Sequence, residues 1–140
     1  MANFRKARVA AFQTLYSDEM NPGQGNLDER LRESLHSNVE QMRFAHELVE
    51  GVNDYREEID ADLKSAVRNW QLDRLALTDK NILRVGIYEL RYTQTPAPIV
   101  INEAIEIAKE FGAKNSGGFV NGVLDTIHKK IDAEKSVQPE

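Results

Sequence analysis

No cysteine occurs anywhere in the 140 residues, which excludes disulfides and thiolate-bound metal and fits a reducing compartment. Long apolar runs are also missing. Nothing approaches the roughly 18 residues that a membrane span requires, so no membrane partner is expected. The N-terminal Met1-Ala2-Asn3-Phe4-Arg5-Lys6-Ala7-Arg8 carries cations with no apolar segment behind them, which excludes a secretory signal. Acids at Asp18 and Glu19 argue against a transit peptide. The expectation is a soluble, cytoplasmic chain.

Histidine is scarce and scattered. His36, His46 and His128 form no His-Glu-x-x-His pattern, and His46 with Glu50 on one helix face supplies only two ligands where a catalytic metal site needs three. There is no Gly-x-Ser-x-Gly elbow. Gly112-Ala-Lys-Asn-Ser-Gly117 has the glycine spacing of a phosphate loop, but Gly118 and Phe119 follow where Lys and then Ser or Thr are needed, and the segment follows a helix rather than a strand. The carboxylates of residues 28–62 alternate with arginines, as on solvated helix faces. No enzyme, metal or cofactor is read from these residues.

Strand-like alternation is absent, and spacings of three and four dominate. A first helix is predicted from an N-cap at Asn3 to Met20, ended by Asn21-Pro-Gly-Gln-Gly-Asn26. Further helices are predicted at 27–36, at 38–52 (cap Asn38, stripe Val39, Met42, Ala45, Leu48, Val49, Val52) and at about 54–70. A fifth is capped by Thr78 and turns Ile82, Leu83, Gly86, Ile87 and Leu90 inward. A sixth, about 98–111, presents Ile101, Ala104, Ile105, Ala108 and Phe111, with Gly112 as its C′ residue. The seventh starts near Ser116 and buries Phe119, Val120, Val123, Leu124, Ile127 and Ile131. The fold class is therefore all-α: a compact bundle of about seven helices in two parts, about 1–70 and 71–132, with a polar, frayed tail at 133–140. The apolar stripes can all be used internally, so a free monomer is expected.

The net charge of −5 is unevenly distributed. Residues 1–17 hold Arg5, Lys6 and Arg8 with no acid, whereas residues 28–62 hold eleven acids against four arginines. On the first helix Phe4, Ala7, Ala11 and Leu15 form a core stripe, and Arg5, Phe12 and Tyr16 a neighbouring one, with Arg8 between them. Cations beside an aromatic hydroxyl suit single-stranded RNA, phosphates meeting guanidinium and bases meeting rings. Phe12 reads better as core; for Tyr16 both roles stand. Ser116, Gly117 and Gly118 open a helix whose free N–H groups can hold one phosphate, although a plain helix–helix turn explains them as well. On this reading, removing Arg5 and Arg8 weakens RNA binding and leaves folding intact.

Four stretches carry a family resemblance. Leu77-Thr-Asp-Lys-Asn-Ile-Leu-Arg-Val-Gly-Ile-Tyr-Glu-Leu90, Pro98-Ile-Val-Ile-Asn-Glu-Ala-Ile-Glu-Ile-Ala-Lys-Glu-Phe-Gly112 and Phe119-Val-Asn-Gly-Val-Leu124 resemble, in order, segments of the NusB family, and Arg5-Lys-Ala-Arg8 through Leu15-Tyr16 is similar to its first helix. The resemblance implies a fold of two helical subdomains. It also implies partners: NusE, a small-subunit ribosomal protein; boxA RNA; and the RNA polymerase antitermination complex with other Nus factors, notably at ribosomal RNA operons. By position it places Arg5, Lys6 and Arg8 in the basic N-terminal motif and Tyr16 near RNA. Asp79 would accept from a base amino group, Arg84 would meet phosphate or brace that acid, and Phe119 would stack on a base or seal the subdomain interface. Two features depart from the family: the basic cluster is thinner, and Asn115 with Gly117-Gly118 replaces an acid and bulkier residues, leaving mainly backbone contacts there. Two alternatives are an RNA-binding domain related to rRNA cytosine methyltransferases, which would need a methyl-donor domain after the bundle, and a protein-only adaptor.

Overall fold

The computed structural model of the chain describes residues 3–67 and 74–136. Among these residues seven helices follow one another: α1 (Arg5–Met20), α2 (Leu27–Ser34), α3 (Val39–Asp54), α4 (Arg56–Ala66), α5 (Leu77–Tyr92), α6 (Ala97–Phe111) and α7 (Ser116–Ser136). There is no strand among the described residues. No described helix is long and apolar enough to cross a membrane. Local chemistry sets several starts. The Asn26 side chain accepts from the Glu29 N–H at 3.0 Å and that of Asn38 from the Gln41 N–H at 3.1 Å, each offsetting an orphan donor worth about 1 kcal/mol. Pro98 sits in the first turn of α6, where its missing N–H costs nothing.

The organising element is α5, which packs against α1, α3, α4, α6 and α7. All eleven residues from Asp79 to Glu89 are buried. A helix buried all round should be apolar all round, yet this one carries Asp79, Lys80, Asn81, Arg84 and Glu89 inside. Apolar packing is shared with Phe12 and Leu15 of α1, Leu48 and Val52 of α3, Leu63 of α4, Ile107 of α6 and Leu124 and Ile127 of α7, which form one cluster with Leu83 and Ile87. Each such side chain contributes on the order of 1.5–3 kcal/mol. A smaller cluster of Ala7, Ala10, Leu31, Leu35 and Ala45 fastens α2 to α1 and α3.

Several expected details are corrected. Phe4, not Asn3, holds the cap position of α1, while the Asn3 side chain accepts from the Arg5 N–H. Ala76 precedes α5 with no side-chain cap, so Thr78 is already helical. Val39 projects into solvent at 64% exposure because it opens α3 before the stripe reaches the core. In α6 the buried face is Val100, Ala104, Ile107 and Ala108, rotated from the expected one, and Phe111 is exposed. Gly112 is extended, at φ −97° and ψ −168°, so no left-handed cap forms. A glycine is required there by close approach: a Cβ would lie 2.5 Å from Ser116 Oγ and 2.8 Å from the Ala108 carbonyl. α4 stops at Ala66, and its expected end at Trp70 lies outside the described residues. Helix α7 continues through 133–136, where a frayed tail was expected; the rest of that tail is also outside them.

Candidate nucleic-acid interface

The expected basic end of α1 is largely neutralised within the fold. Arg5 forks onto Glu103 of α6, Nε to Oε1 at 3.0 Å and Nη2 to Oε2 at 2.8 Å. That hydrogen bond holds the Glu103 carboxyl below the ordinary carboxylate range, against the opposing effect of burial. Arg8 forks onto Glu89 of α5 at 2.6 and 2.9 Å. The Arg8 side chain is 9% exposed, that of Glu89 1%, and the guanidinium also lies 5.2 Å from the centre of the Phe44 ring. Arg8 is thus an internal tie between α1 and α5, which corrects its expected place as a solvent-facing cation. Lys6 stays exposed and Arg5 half-buried. They flank an open groove of about 800 Å³ whose other walls include Gln13, His36 and Phe111. Phe12 is core, in edge contact with Phe111 at 5.4 Å, and Tyr16 is half-buried.

Arg84 is likewise internal. Its guanidinium grips both oxygens of Asp60, at 2.9 and 3.0 Å, and reaches Glu19 Oε1 at 2.8 Å. Neither expected role is met, because the side chain is 5% exposed and braces Asp60 and Glu19 rather than Asp79. Glu19 also receives Lys80 at 2.6 Å. Burial opposes ionisation of Glu19, but hydrogen bonds from Lys80 and Asn81 and the charge of Arg84 outweigh it and hold the carboxyl below its ordinary range.

A second opening lies where the start of α5 meets the α6–α7 turn. Ser116 shapes the turn: its hydroxyl accepts from the Ala113 N–H at 2.9 Å and its own N–H donates to the Ala113 carbonyl at 3.0 Å. With 3% exposure and its N–H engaged, Ser116 is structural, which corrects its expected contact with phosphate. Gly117 is buried, with room for a Cβ only 3.1 Å from Lys109 Cγ, and Gly118 alone of the three faces solvent. Between these elements is a pocket of about 250 Å³ whose walls include Arg74, Asp79, Asn115, Ser116 and Phe119. Phe119 is half-buried, partly against the core and partly against the pocket. Asp79 is 8% exposed, and its Oδ1 has no hydrogen-bond partner among the described residues.

The fold therefore brings Asp79, Ser116 and Phe119 to one pocket, whose walls do not include Gly117 or Gly118. It places Arg5, Lys6, Arg8, Tyr16 and Arg84 elsewhere. The end of α6 stands between the two openings, Glu110 and Phe111 lining one and Ala113 the other. Sequence reasoning missed Arg74, which carries no motif, and the pairing acids Glu89 and Glu103. The need of a buried arginine for a carboxylate was the available signal for those acids. Among the described residues no group of three or more His, Cys, Asp or Glu could hold a metal ion.

Known proteins agree on the lineage of this architecture. The model of the NusB family matches residues 5–129. The transcription antitermination protein NusB of Myxococcus xanthus is 41% identical over 131 residues, covering 88% of this chain and 92% of that protein. Its counterpart in Geobacter sulfurreducens is 41% identical over 126 residues, covering 88% and 91%. Among solved structures, T. maritima NusB superposes with a TM-score of 0.82 at 34% identity, covering 92% of both chains. A structure of the antitermination factors NusB and NusE in complex with double-stranded RNA gives 0.79 at 29% identity, covering 93% of this chain and 99% of that one.

Proposed function

This chain belongs to the NusB family, and we propose from that premise that it is a transcription antitermination factor, binding boxA-type RNA together with NusE and acting at ribosomal RNA operons within the RNA polymerase antitermination complex. Its work is binding rather than catalysis. The observation that carries the reading is the pocket between α5 and the α6–α7 turn, which joins a half-buried aromatic face, an unpartnered carboxylate oxygen and the exposed side chains of Arg74 and Asn115. Such a set fits an unstacked base better than a duplex: a ring for stacking, polar groups for the base edge, and a cation for phosphate.

The α1 groove is a secondary surface in this reading. Arg5 is bound to Glu103, with Glu106 and Glu110 near enough to add to its field, so Lys6 is the more available of the two cations. The strongly acidic stretch of residues 28–62 suits a basic ribosomal protein and repels nucleic acid, which divides the surface between two partners.

Phe119→Ala tests the pocket. A stacking role predicts a loss of about 1–3 kcal/mol in RNA affinity. Because the ring is only half-buried, the stability loss should stay well under the ~3–5 kcal/mol of a fully buried phenylalanine. Filter binding with boxA RNA and thermal melting give the two numbers. Unchanged affinity with a large melting loss would remove the pocket from the RNA site.

A further inference from the structure

We infer that the tyrosine stack at the far end of α5, with the carboxylates around it, is a docking point for an arginine presented by a protein partner. Three rings are graded in burial. Tyr88 is 7% exposed and lies across α3 at Gly51, where a Cβ would overlap its ring. Tyr92, one turn on, is half-buried, with its ring 5.6 Å from that of Tyr88. Tyr55 stacks on Tyr92 at 4.0 Å, with 15° between the planes, and is 39% exposed. One face of Tyr55 is therefore covered and the other open. Its backbone is fixed as well. Where α3 ends, the Tyr55 N–H donates to the Gly51 carbonyl at 3.0 Å, and where α4 begins its carbonyl accepts from the Ile59 N–H at 2.9 Å. A large ring held rigid at the surface loses little freedom when a partner covers it.

The surroundings set the sign of the occupant. Glu47, Asp54, Glu57 and Glu58 are exposed and have no ion-pair partner among the described residues, whereas the neighbouring Asp60 and Asp62 are tied to Arg84 and Arg91. Glu47 Oε2 accepts from the Tyr88 hydroxyl at 3.4 Å. Burial raises the Tyr88 phenol above its ordinary pKa, and the charges of Glu47 and Asp54 add to the effect; burial and Glu58 do the same to Tyr92. The field of these carboxylates thus falls on the rings and repels a polyanion. Among the described residues the cation–ring contact is Arg8 over Phe44, so no cation of the fold covers Tyr55. An arginine suits both features. Its planar guanidinium stacks on a ring face and forks onto a carboxylate, which the compact, strongly hydrated ammonium of lysine does not. Asp54, the last residue of α3, and Glu58, in the first turn of α4, flank Tyr55 and would receive it. Tyr92 lies thirteen residues beyond Asp79 on α5, about 20 Å along the helix, so this docking point is independent of the RNA pocket.

The test follows the amide chemical shifts of the full-length chain, which register weak binding and locate it. The titrants are a short glycine peptide carrying two arginines and its lysine counterpart, at one low salt concentration. The arginine peptide should move the signals around Tyr55 and Tyr92 and bind about threefold tighter than the lysine peptide, the ratio that one exposed cation–ring contact supplies. Tyr55→Leu keeps an apolar side chain without the ring and should bring that ratio close to one. Tyr55→Phe keeps the ring and should preserve it. Glu58→Gln should weaken both peptides, since it removes a shared charge. Equal binding of the two peptides, no measurable binding of either, or a ratio that survives Tyr55→Leu would overturn the inference. Single-stranded oligo(U) should bind Tyr55→Leu as it binds the parent; a loss of that affinity would assign the stack to RNA and overturn the inference as well.

Discussion

Arg8→Ala should destabilise the protein by about 3–5 kcal/mol, the cost of breaking a buried ion pair from one side. That is a large share of the roughly 5–15 kcal/mol that holds a domain together. Glu89 is 1% exposed and accepts both of its side-chain hydrogen bonds from Arg8. Alanine at position 8 strands that carboxylate between α1 and α5 and removes the cation lying over Phe44. Exposed Arg→Ala changes usually stay within about 0.5 kcal/mol, which is what the sequence alone suggested here. Urea unfolding of Arg8→Ala and of the double variant Arg8→Ala with Glu89→Ala separates the cases. The double variant should recover part of the loss, because removing both partners leaves no orphan charge. A single variant as stable as the parent would show that the pair contributes nothing.

Gly51→Ala should also lower stability. A Cβ at position 51 would overlap the Tyr88 ring. Tyr88 is 7% exposed; its ring lies 5.6 Å from that of Tyr92, which stacks on Tyr55 at 4.0 Å. To admit one methyl group, these rings or the α3 backbone must shift. Overpacking of this kind costs about 1–3 kcal/mol, and alanine's helix propensity returns only ~1 kcal/mol. The expected net loss is therefore up to ~2 kcal/mol, read as a melting temperature lower by several degrees. Gly122→Ala is the control, since nothing lies within 4 Å of where its Cβ would sit, and it should leave stability level or slightly raised. A Gly51→Ala protein that melts with Gly122→Ala would contradict the packing described for α3 on α5.

The helices were legible because each leaves a periodic apolar trace. Asn38 as a cap, the turn at 21–26 and the stripe of α7 could all be read from local chemistry; the Asn26 cap emerged only with the structure. Which face of α6 turns inward was not. Ile101 and Ile105 are as apolar as Val100 and Ile107, and only the position of α5 and α7 decides among them. The burial of α5 was partly hidden for a different reason. Lys80, Arg84 and Glu89 read as solvent residues until Glu19, Asp60 and Arg8 arrive from helices distant in sequence. The same limit applied to the site. Asp79 and Phe119 were identifiable through family resemblance, but that they share a pocket with Arg74, and that Arg8 does not face solvent, depends on contacts between residues far apart in the chain. Charge counting overstated the basic end because it cannot register Glu89 and Glu103 folding back onto it.

The central claim is that this chain holds RNA through a small pocket and a thin set of cations, and therefore needs a second protein to hold it tightly. With Arg8 buried and Arg5 bound to Glu103, unaided binding should sit in the weak range of non-specific contacts, with Kd on the order of 10⁻⁴ to 10⁻⁶ M near physiological salt. Docking of NusE would add a second RNA surface at high local concentration. The most direct measurement is a titration of boxA RNA into the protein with and without saturating NusE at one fixed salt concentration. The predicted result is an affinity at least about tenfold higher with NusE, a coupling of ~1.4 kcal/mol, matched by an equal tightening of the protein pair when RNA is present. Equal RNA affinity in the two titrations would contradict it.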